Sequence, residues 1–262
     1  MTIGITGGTG VIGSILCKKL MDLSYTIDCF KGNISNKEDI SNWIFNKKFD
    51  VLFHLAAVVP VNKVNQNPFN AYNVNVGGTI NLLEAISNHE LSPWIFYAST
   101  SHVYKSSNKP IKEEDEIQPL NIYGETKLIG EKAVTSFSNS FGVKICIGRI
   151  FSFYHSSQKP PYLHPTTLQR FNLEDLSKPF RLTGAKNIRD IMNAEHVVDI
   201  LIKLMKLKYE GLINIGSGKG VTIEEFVSQQ SDVPLNIAYD KNEPVSLLVA
   251  DISKLNKVIK QQ

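Results

Sequence analysis

Tyr123 and Lys127 are the two side chains in this sequence best placed for proton chemistry. They belong to the segment Tyr123-Gly-Glu-Thr-Lys127, which begins a predicted helix, and an i, i+4 spacing places both on one face. A nearby ammonium group favours the phenolate and lowers the pKa of a tyrosine toward neutrality. Such a tyrosine can exchange a proton with a hydroxyl or carbonyl while hydride moves to or from a nicotinamide. An ordinary helix with a half-buried tyrosine and a surface lysine has the same spacing, so the neighbouring motifs must decide.

A run of small hydroxyl residues lies upstream of this pair. The segment Tyr97-Ala-Ser99-Thr100-Ser101 ends a predicted strand, and a hydroxyl there could hydrogen-bond the reacting oxygen. A turn or a helix cap is the structural alternative for serine and threonine at this position.

A glycine-rich turn separates the first predicted strand from the first predicted helix. Its sequence is Gly7-Gly-Thr-Gly10-Val-Ile-Gly13. Glycine lets the backbone approach a pyrophosphate closely, and the helix N-terminus presents free N–H groups to that anion. The triplet alone is a weak signal, but its place between a strand and a helix predicts a dinucleotide site. A plain tight turn is the alternative.

The end of the second predicted strand bears on which dinucleotide binds. Rossmann sites that bind NAD often have an acidic residue there to hold the adenosine ribose. In this chain Lys31 occupies that position, while Asp28 falls within the strand. A lysine can pair with a 2′-phosphate, which favours NADP(H) over NAD(H). A solvated surface lysine is the alternative interpretation.

Strands and helices must alternate if these motifs are to meet. The predicted strands are 2–6, 25–30, 51–55, 94–97, 143–147 and 212–215, and the predicted helices are 11–22, 36–47, 69–88, 122–140, 190–206 and 222–230. Alternation with short apolar strands indicates an α/β fold, a Rossmann-type doubly wound parallel sheet covered by helices on both faces.

The alternation breaks after Arg149, which predicts a second, smaller unit. Residues 154–186 are rich in Pro, Ser, Gln and His, and residues 231–262 form a short tail. We expect residues 1–153 and 187–230 to form the NAD(P)-binding domain. Residues 154–186 and 231–262 would form a small, interleaved substrate-binding lobe, with ligands bound between the two at the carboxyl ends of the strands.

The composition excludes several classes of function. The net charge is +3 with acidic and basic residues interspersed, so no nucleic-acid surface is predicted. The sequence shows neither a signal peptide nor an apolar run long enough for a membrane span, and we expect a cytoplasmic protein. Three well-separated cysteines, Cys17, Cys29 and Cys146, read as buried apolar residues of a reducing compartment, and no Cys/His cluster predicts a metal site.

Five further segments complete a family resemblance. They are Phe53-His-Leu-Ala-Ala57, Asn75 to Glu84, Pro119 to Lys127, Asn187-Ile-Arg-Asp190 and Asn214-Ile-Gly-Ser-Gly218. With the glycine turn, they resemble the extended short-chain dehydrogenase/reductase family of nucleotide-sugar epimerases, dehydratases and reductases over nearly the whole chain. The segment ending at Lys127 is especially similar to the dTDP-4-dehydrorhamnose reductase branch.

The resemblance implies a role for each matching residue. Thr100, Tyr123 and Lys127 would be catalytic, Lys127 would also hold the nicotinamide ribose, and Thr100 and Arg189 would contact the substrate, Arg189 gripping its diphosphate. The implied cofactor contacts are Gly7, Thr9, Gly10, Val11, Ile12, Gly13, Lys31, Asn33, Ile34, Leu55, Ala56, Ala57, Asn75, Ser99 and Lys127. Asn33 replaces an aspartate that reads the adenine amine in relatives.

Two departures narrow the reaction. Ser101-His102 stands where dehydratases carry Asp-Glu, which argues against 4,6-dehydration. His102 also falls where the GDP-fucose synthases carry a catalytic cysteine, so it is a candidate second acid/base, with a structural loop histidine as the alternative. His164 is another candidate in the substrate segment, whereas His54 is expected to be structural.

We therefore predict an NAD(P)-dependent enzyme that reduces a 4-keto nucleotide sugar or epimerises a nucleotide sugar. Reduction of a non-nucleotide carbonyl compound and non-catalytic sensing of NADP(H) are the alternatives. The resemblance also implies a homodimer that pairs the helices near 70–88 and 122–140, although ordinary core packing explains the same apolar stripes.

Overall fold

A parallel sheet forms the centre of the computed structural model, which describes residues 1–260. Six strands are hydrogen-bonded in the order β2-β1-β3-β4-β5-β9. Their bounds are β1 Thr2–Thr6, β2 Thr26–Cys29, β3 Val51–His54, β4 Trp94–Thr100, β5 Ile145–Ile150 and β9 Gly211–Ile215. The strand order reverses between β1 and β3, so the carboxyl ends of these two strands border the crevice in which doubly wound sheets bind ligands. The predicted fold class is confirmed.

Helices cover both faces of this sheet. Their bounds are α1 Val11–Asp22, α2 Lys37–Phe45, α3 Val61–Gln66, α4 Pro68–Tyr72, α5 Gly78–Asn88, α6 Ile122–Phe141, α7 Leu163–Leu173, α8 Ala194–Leu207, α9 Ile223–Ser228 and α10 Ser253–Ile259. Apolar side chains of α1, α8 and α10 pack in one buried cluster, and those of α2, α5 and α6 pack in another. Within residues 1–260, no helix has the length and apolar character to cross a membrane.

Two of the predicted helices differ from the structure by more than their end residues. The predicted helix 190–206 begins late, because Ile188–Asn193 forms strand β8 and α8 starts only at Ala194. The Asn193 side chain accepts a hydrogen bond from the Glu195 amide and thereby caps α8. The predicted helix 69–88 is divided into α4, a π-helical turn at Asn73–Gly77, and α5.

The segment between β5 and β8 is more regular than its composition indicated. It contains β6 Ser152–Tyr154, helix α7 and the short strand β7 Phe180–Arg181. The tail returns to it, since β11 Ile237–Ala238 pairs with β7 and Phe180 shares a cluster with Leu235. Residues 261–262 of the predicted lobe lie outside the described residues.

A second small sheet closes the other side of the crevice. Strand β8 pairs with β6, with β10 Gly220–Thr222 and with β12 Leu247–Leu248. Strand β8 carries Arg189, so this sheet brings a charged side chain from the second half of the chain to the ends of the central strands.

Candidate active site

One large cleft of about 1660 Å³ lies at the carboxyl ends of the central strands. All of the residues proposed from sequence line it except Asn75. They are Gly7, Thr9, Gly10, Val11, Ile12, Gly13, Lys31, Asn33, Ile34, Leu55, Ala56, Ala57, Ser99, Thr100, His102, Tyr123, Lys127, His164 and Arg189. Residues spread over most of the sequence therefore converge on one space.

The glycine-rich turn is held in the shape that a pyrophosphate requires. Gly7 has a φ of +75°, and its carbonyl oxygen accepts a hydrogen bond of 3.0 Å from the Gly10 amide. A Cβ atom on Gly13 would overlap that same carbonyl oxygen. The first turn of α1 thus packs directly on the loop, leaving its N-terminal amides toward the cleft. This cradle fits a dinucleotide pyrophosphate.

The end of β2 carries a lysine, not an acid, at the cleft. Lys31 is exposed and lines the cleft. Asp28 is turned toward α2, where it accepts a 2.7 Å hydrogen bond from the Trp43 indole and pairs with Lys47 at 3.2 Å. Asn33 lines the cleft, but its side-chain oxygen already accepts a bond from the Ser35 amide.

Asn75 acts behind the cleft wall. Its side chain is fully buried and exchanges two hydrogen bonds with the backbone of Val58, at 2.7 and 3.1 Å. It also donates to the Thr126 hydroxyl. Asn75 therefore joins α6 to the loop after β3, and it positions cleft residues without lining the cleft.

His54 is structural, as the sequence indicated. It is buried at the end of β3, and its two ring nitrogens are hydrogen-bonded to the hydroxyls of Thr6 and Thr79. Burial, with a contribution from the nearby Lys127, lowers the pKa of His54 to about 3. The ring is neutral at physiological pH.

Thr100, Tyr123 and Lys127 meet where β4 faces the start of α6. The nearby Thr100 hydroxyl lowers the pKa of the Tyr123 phenol, although burial dominates and raises that pKa above its ordinary value. The sequence had indicated a lowered value. Lys127 is buried, with its amine 4.2 Å from the centre of the Tyr97 ring. Burial lowers the pKa of Lys127 to about 7, against the opposing effect of the Glu131 carboxylate.

A buried ion pair supports this group from behind. Glu131 lies one helical turn after Lys127 and pairs with Arg149 at 2.7 Å, both side chains being less than a tenth exposed. Glu131 also accepts a hydrogen bond from the Ser99 hydroxyl. Sequence reasoning missed Glu131 and Arg149, although a glutamate four residues after Lys127 on the same helix face was visible.

His102 lies beside Tyr123 and lines the cleft. The two rings meet edge to face with their centres 5.8 Å apart, and the His102 Nδ1 atom is hydrogen-bonded to the Asn121 amide at 3.0 Å. Burial lowers the pKa of His102, Asn121 opposes that shift and Arg189 adds to it. The lowered pKa favours the neutral imidazole at this position beside Tyr123.

Arg189, His164 and Tyr162 lie together on the far wall of the cleft. The Arg189 guanidinium is tethered by the Ser246 carbonyl and hydroxyl, at 2.8 Å each. His164 bonds the side chain of Gln230. Tyr162, which sequence reasoning missed, lines the same wall and raises the pKa of Tyr123 through its proximity. Within residues 1–260, no cluster of three or more His, Cys, Asp or Glu could hold a metal ion.

Comparison with known proteins agrees with this geometry. Residues 3–216 match the model of the NAD dependent epimerase/dehydratase family. An uncharacterized UDP-glucose epimerase of Bacillus subtilis is 29% identical, over 96% of this chain and 93% of that protein.

Solved structures share the fold. The UDP-glucose 4-epimerase of Thermus thermophilus, solved with NAD, superposes with a TM-score of 0.84 at 21% identity, covering 98% of this chain and 92% of that one. The RMD protein of Pseudomonas aeruginosa, solved with NADPH, gives a TM-score of 0.88 at 20% identity, covering 99% and 92%.

Proposed function

The chain belongs to the NAD dependent epimerase/dehydratase family, and from that premise we propose that it epimerises a UDP-sugar at C4. The observation that carries the proposal is the convergence of Thr100, Tyr123 and Lys127 with the glycine turn and Arg189 on one cleft. Relatives described as UDP-glucose epimerases support the substrate class. Ser101-His102, in place of an acidic pair, leaves elimination of water without its carboxyl groups.

A nicotinamide dinucleotide held at the glycine turn supplies hydride transfer to and from a sugar carbon. Tyr123 and Thr100 hold the oxygen of that carbon, and Tyr123 takes or returns its proton. Lys127 is buried beneath them. When its amine is protonated, its positive charge stabilises negative charge on the Tyr123 oxygen. Arg189 binds the substrate diphosphate with a guanidinium that Ser246 already orients.

Lys31 supports a preference for NADP(H) over NAD(H). Its amine stands at the cleft where an acidic residue would otherwise hold the ribose, while Asp28 is engaged with Trp43. The relatives do not decide this point, because one was solved with NAD and another with NADPH. Dissociation constants for both reduced dinucleotides give the answer directly.

The test is interconversion of UDP-glucose and UDP-galactose by the purified protein supplied with NAD⁺ or NADP⁺, followed by chromatography. A parallel assay mixes 4-keto nucleotide sugars with the reduced cofactors and follows the loss of nicotinamide absorbance. If the protein consumes reduced cofactor with a 4-keto sugar and does not interconvert the two UDP-sugars, it is a reductase and not an epimerase. A protein that binds dinucleotide and turns over no sugar or other carbonyl compound would be a sensor.

Tyr123→Phe tests the assigned proton transfer. It should lower kcat by about 10²–10⁴-fold, the usual contribution of a general acid–base group, while dinucleotide binding persists. Tyr25→Phe is the matched control, because Tyr25 packs against the core and does not line the cleft. Full turnover by Tyr123→Phe would remove the proposed role of Tyr123.

A further inference from the structure

Cys17 and Cys29 are neighbours in the structure, although they are twelve residues apart in the sequence and no motif pairs them. Cys17 lies in α1 and Cys29 ends β2. Their Sγ atoms are 3.1 Å apart, and both residues are free thiols. Cys146, in β5, belongs to the buried core.

The pair lies directly beneath the glycine-rich turn. A Cβ atom built on Gly8 would be 2.9 Å from the Cys29 sulfur and 3.6 Å from the Cys17 sulfur. Both cysteines line the cleft that holds the glycine turn. Cys29 also precedes Lys31 by two residues. The pair is therefore close to the glycine-rich turn and to the segment after β2 that carries Lys31.

We propose that Cys17 and Cys29 form an oxidisable dithiol, which a peroxide converts into a disulfide that weakens dinucleotide binding. The second half of this proposal rests on the dinucleotide site of the proposed function. The first half depends only on the two sulfur atoms and their surroundings.

The oxidation balances with hydrogen peroxide as the two-electron oxidant. The partly exposed Cys29, as thiolate, attacks a peroxide oxygen, so the O–O bond breaks and a sulfenic acid forms with loss of water after protonation. The Cys17 sulfur then attacks the Cys29 sulfur, the S–O bond breaks, and a second water leaves as the S–S bond forms. Burial and the contact with Cys29 together raise the pKa of the Cys17 thiol to about 12. Cys29 is the more exposed of the two, so the peroxide meets Cys29 first and Cys17 attacks in the second step.

Closing the bond must disturb the loop above it. A disulfide bond is about 2.05 Å long, so the sulfur atoms must approach by about 1 Å from their 3.1 Å separation. Gly8 is packed on the Cys29 sulfur with no intervening space for a side chain. The movement therefore shifts either the glycine turn or the end of β2, and both are parts of the proposed dinucleotide site.

The oxidation is tested by peptide mapping after peroxide treatment of the folded protein. Cleavage after lysine and arginine places the three cysteines in separate peptides, which end at Lys18, Lys31 and Arg149. We expect a reducible crosslink between the first two peptides and none to the third. Cys17→Ala and Cys29→Ser should each abolish it, and Cys146→Ala is the matched control that should leave it intact. Overoxidised Cys29 without a crosslink would overturn the proposal.

Binding measurements test the consequence. The Kd for NADPH and NADH should rise at least fivefold in the oxidised wild type and return on reduction with a phosphine, whereas peroxide should not change the Kd of Cys29→Ser. A crosslinked protein with an unchanged Kd would refute the coupling. A reduced protein that binds neither dinucleotide would instead refute the proposed function and the coupling together, while the crosslink would still stand on the peptide map.

Discussion

Lys127 is a buried amine whose charge depends on a carboxylate one helical turn further along α6. Burial alone lowers its pKa, and Glu131 raises it toward the value of about 7. The Glu131 carboxylate also forms an ion pair with Arg149 and accepts a hydrogen bond from the Ser99 hydroxyl. The charge of Lys127 during turnover therefore depends on Glu131 and Arg149, neither of which lines the cleft.

Glu131→Gln should move the alkaline limb of the kcat profile to lower pH. Removing the carboxylate removes the effect that raises the pKa of Lys127, so the amine loses its proton at lower pH and ceases to stabilise the Tyr123 phenolate. Arg149→Gln is the matched variant with the opposite sign, because it leaves Glu131 without its competing cation and should move the limb to higher pH.

Both variants also break a buried ion pair, which costs about 3–5 kcal/mol of stability. Urea unfolding should show a similar loss in the two, and activity is measured at a temperature where both remain folded. A shift of the pH profile in the same direction for both would mean that lost stability, not the charge at Lys127, explains the effect.

How far the sequence predicts the site is clearest from single residues. Tyr123, Lys127 and the glycine turn were found because local spacing encodes them. The sequence predicts Cys17 and Cys29 as separate buried apolar residues, because their contact depends on how α1 packs beside β2. The spacing of Lys127 and Tyr123 predicts a lowered pKa for the tyrosine, and this direction is wrong, because burial of the phenol dominates and raises its pKa.

At the scale of elements, the turn from β1 into α1 contains glycines that are required for different physical reasons. A Cβ on Gly13 would overlap the Gly7 carbonyl, whereas a Cβ on Gly10 would have only that oxygen nearby, at 3.3 Å. The protein itself thus requires Gly13 to lack a side chain. For Gly10 the stricter demand comes from a ligand that approaches the backbone.

Gly13→Ala should therefore destabilise the free protein by about 1–3 kcal/mol, the usual cost of overpacking, and weaken dinucleotide binding as well. Gly10→Ala should leave the free protein nearly as stable as the wild type and still weaken binding. Thermal unfolding with and without NADPH separates the two effects. Equal losses of stability in the ligand-free variants would show that the packing of the loop, and not the approach of a ligand, excludes a side chain at position 10.

Elements were predicted best where a repeating pattern stays within one element. Helix α1 matches its predicted bounds, whereas the segment 190–206 was assigned to a single helix. Its first residues, through Asn193, belong to β8, whose pairing with β6 and β12 comes from distant parts of the chain. Helix α7 was missed because its one proline and its polar residues resemble a loop. Its buried face is also narrow, with Thr167 as its one buried residue.

At the scale of the molecule, the cleft combines two sheets with separate origins. The central sheet supplies the glycine turn, Thr100 and the start of α6, and the sheet around β8 supplies Arg189 from the opposite wall. The alternating pattern predicted the first sheet. The second depends on strands of two to six residues, which are too short to carry a pattern of their own.

Two neighbouring helices also bear on how the chain assembles. Helices α5 and α6 pack against each other, and α5 exposes Ile80, which is 48% accessible in the single chain.

We predict a dimer in solution that covers this face, with a sedimentation mass twice that of the chain. Ile80→Glu should shift the protein to monomer, because the interface would bury an unpaired carboxylate. Leu173→Glu, on α7 and 76% exposed, is the matched control that should remain dimeric. A wild type that sediments as a monomer at micromolar concentration would contradict the pairing, and dissociation of both variants would place the interface elsewhere.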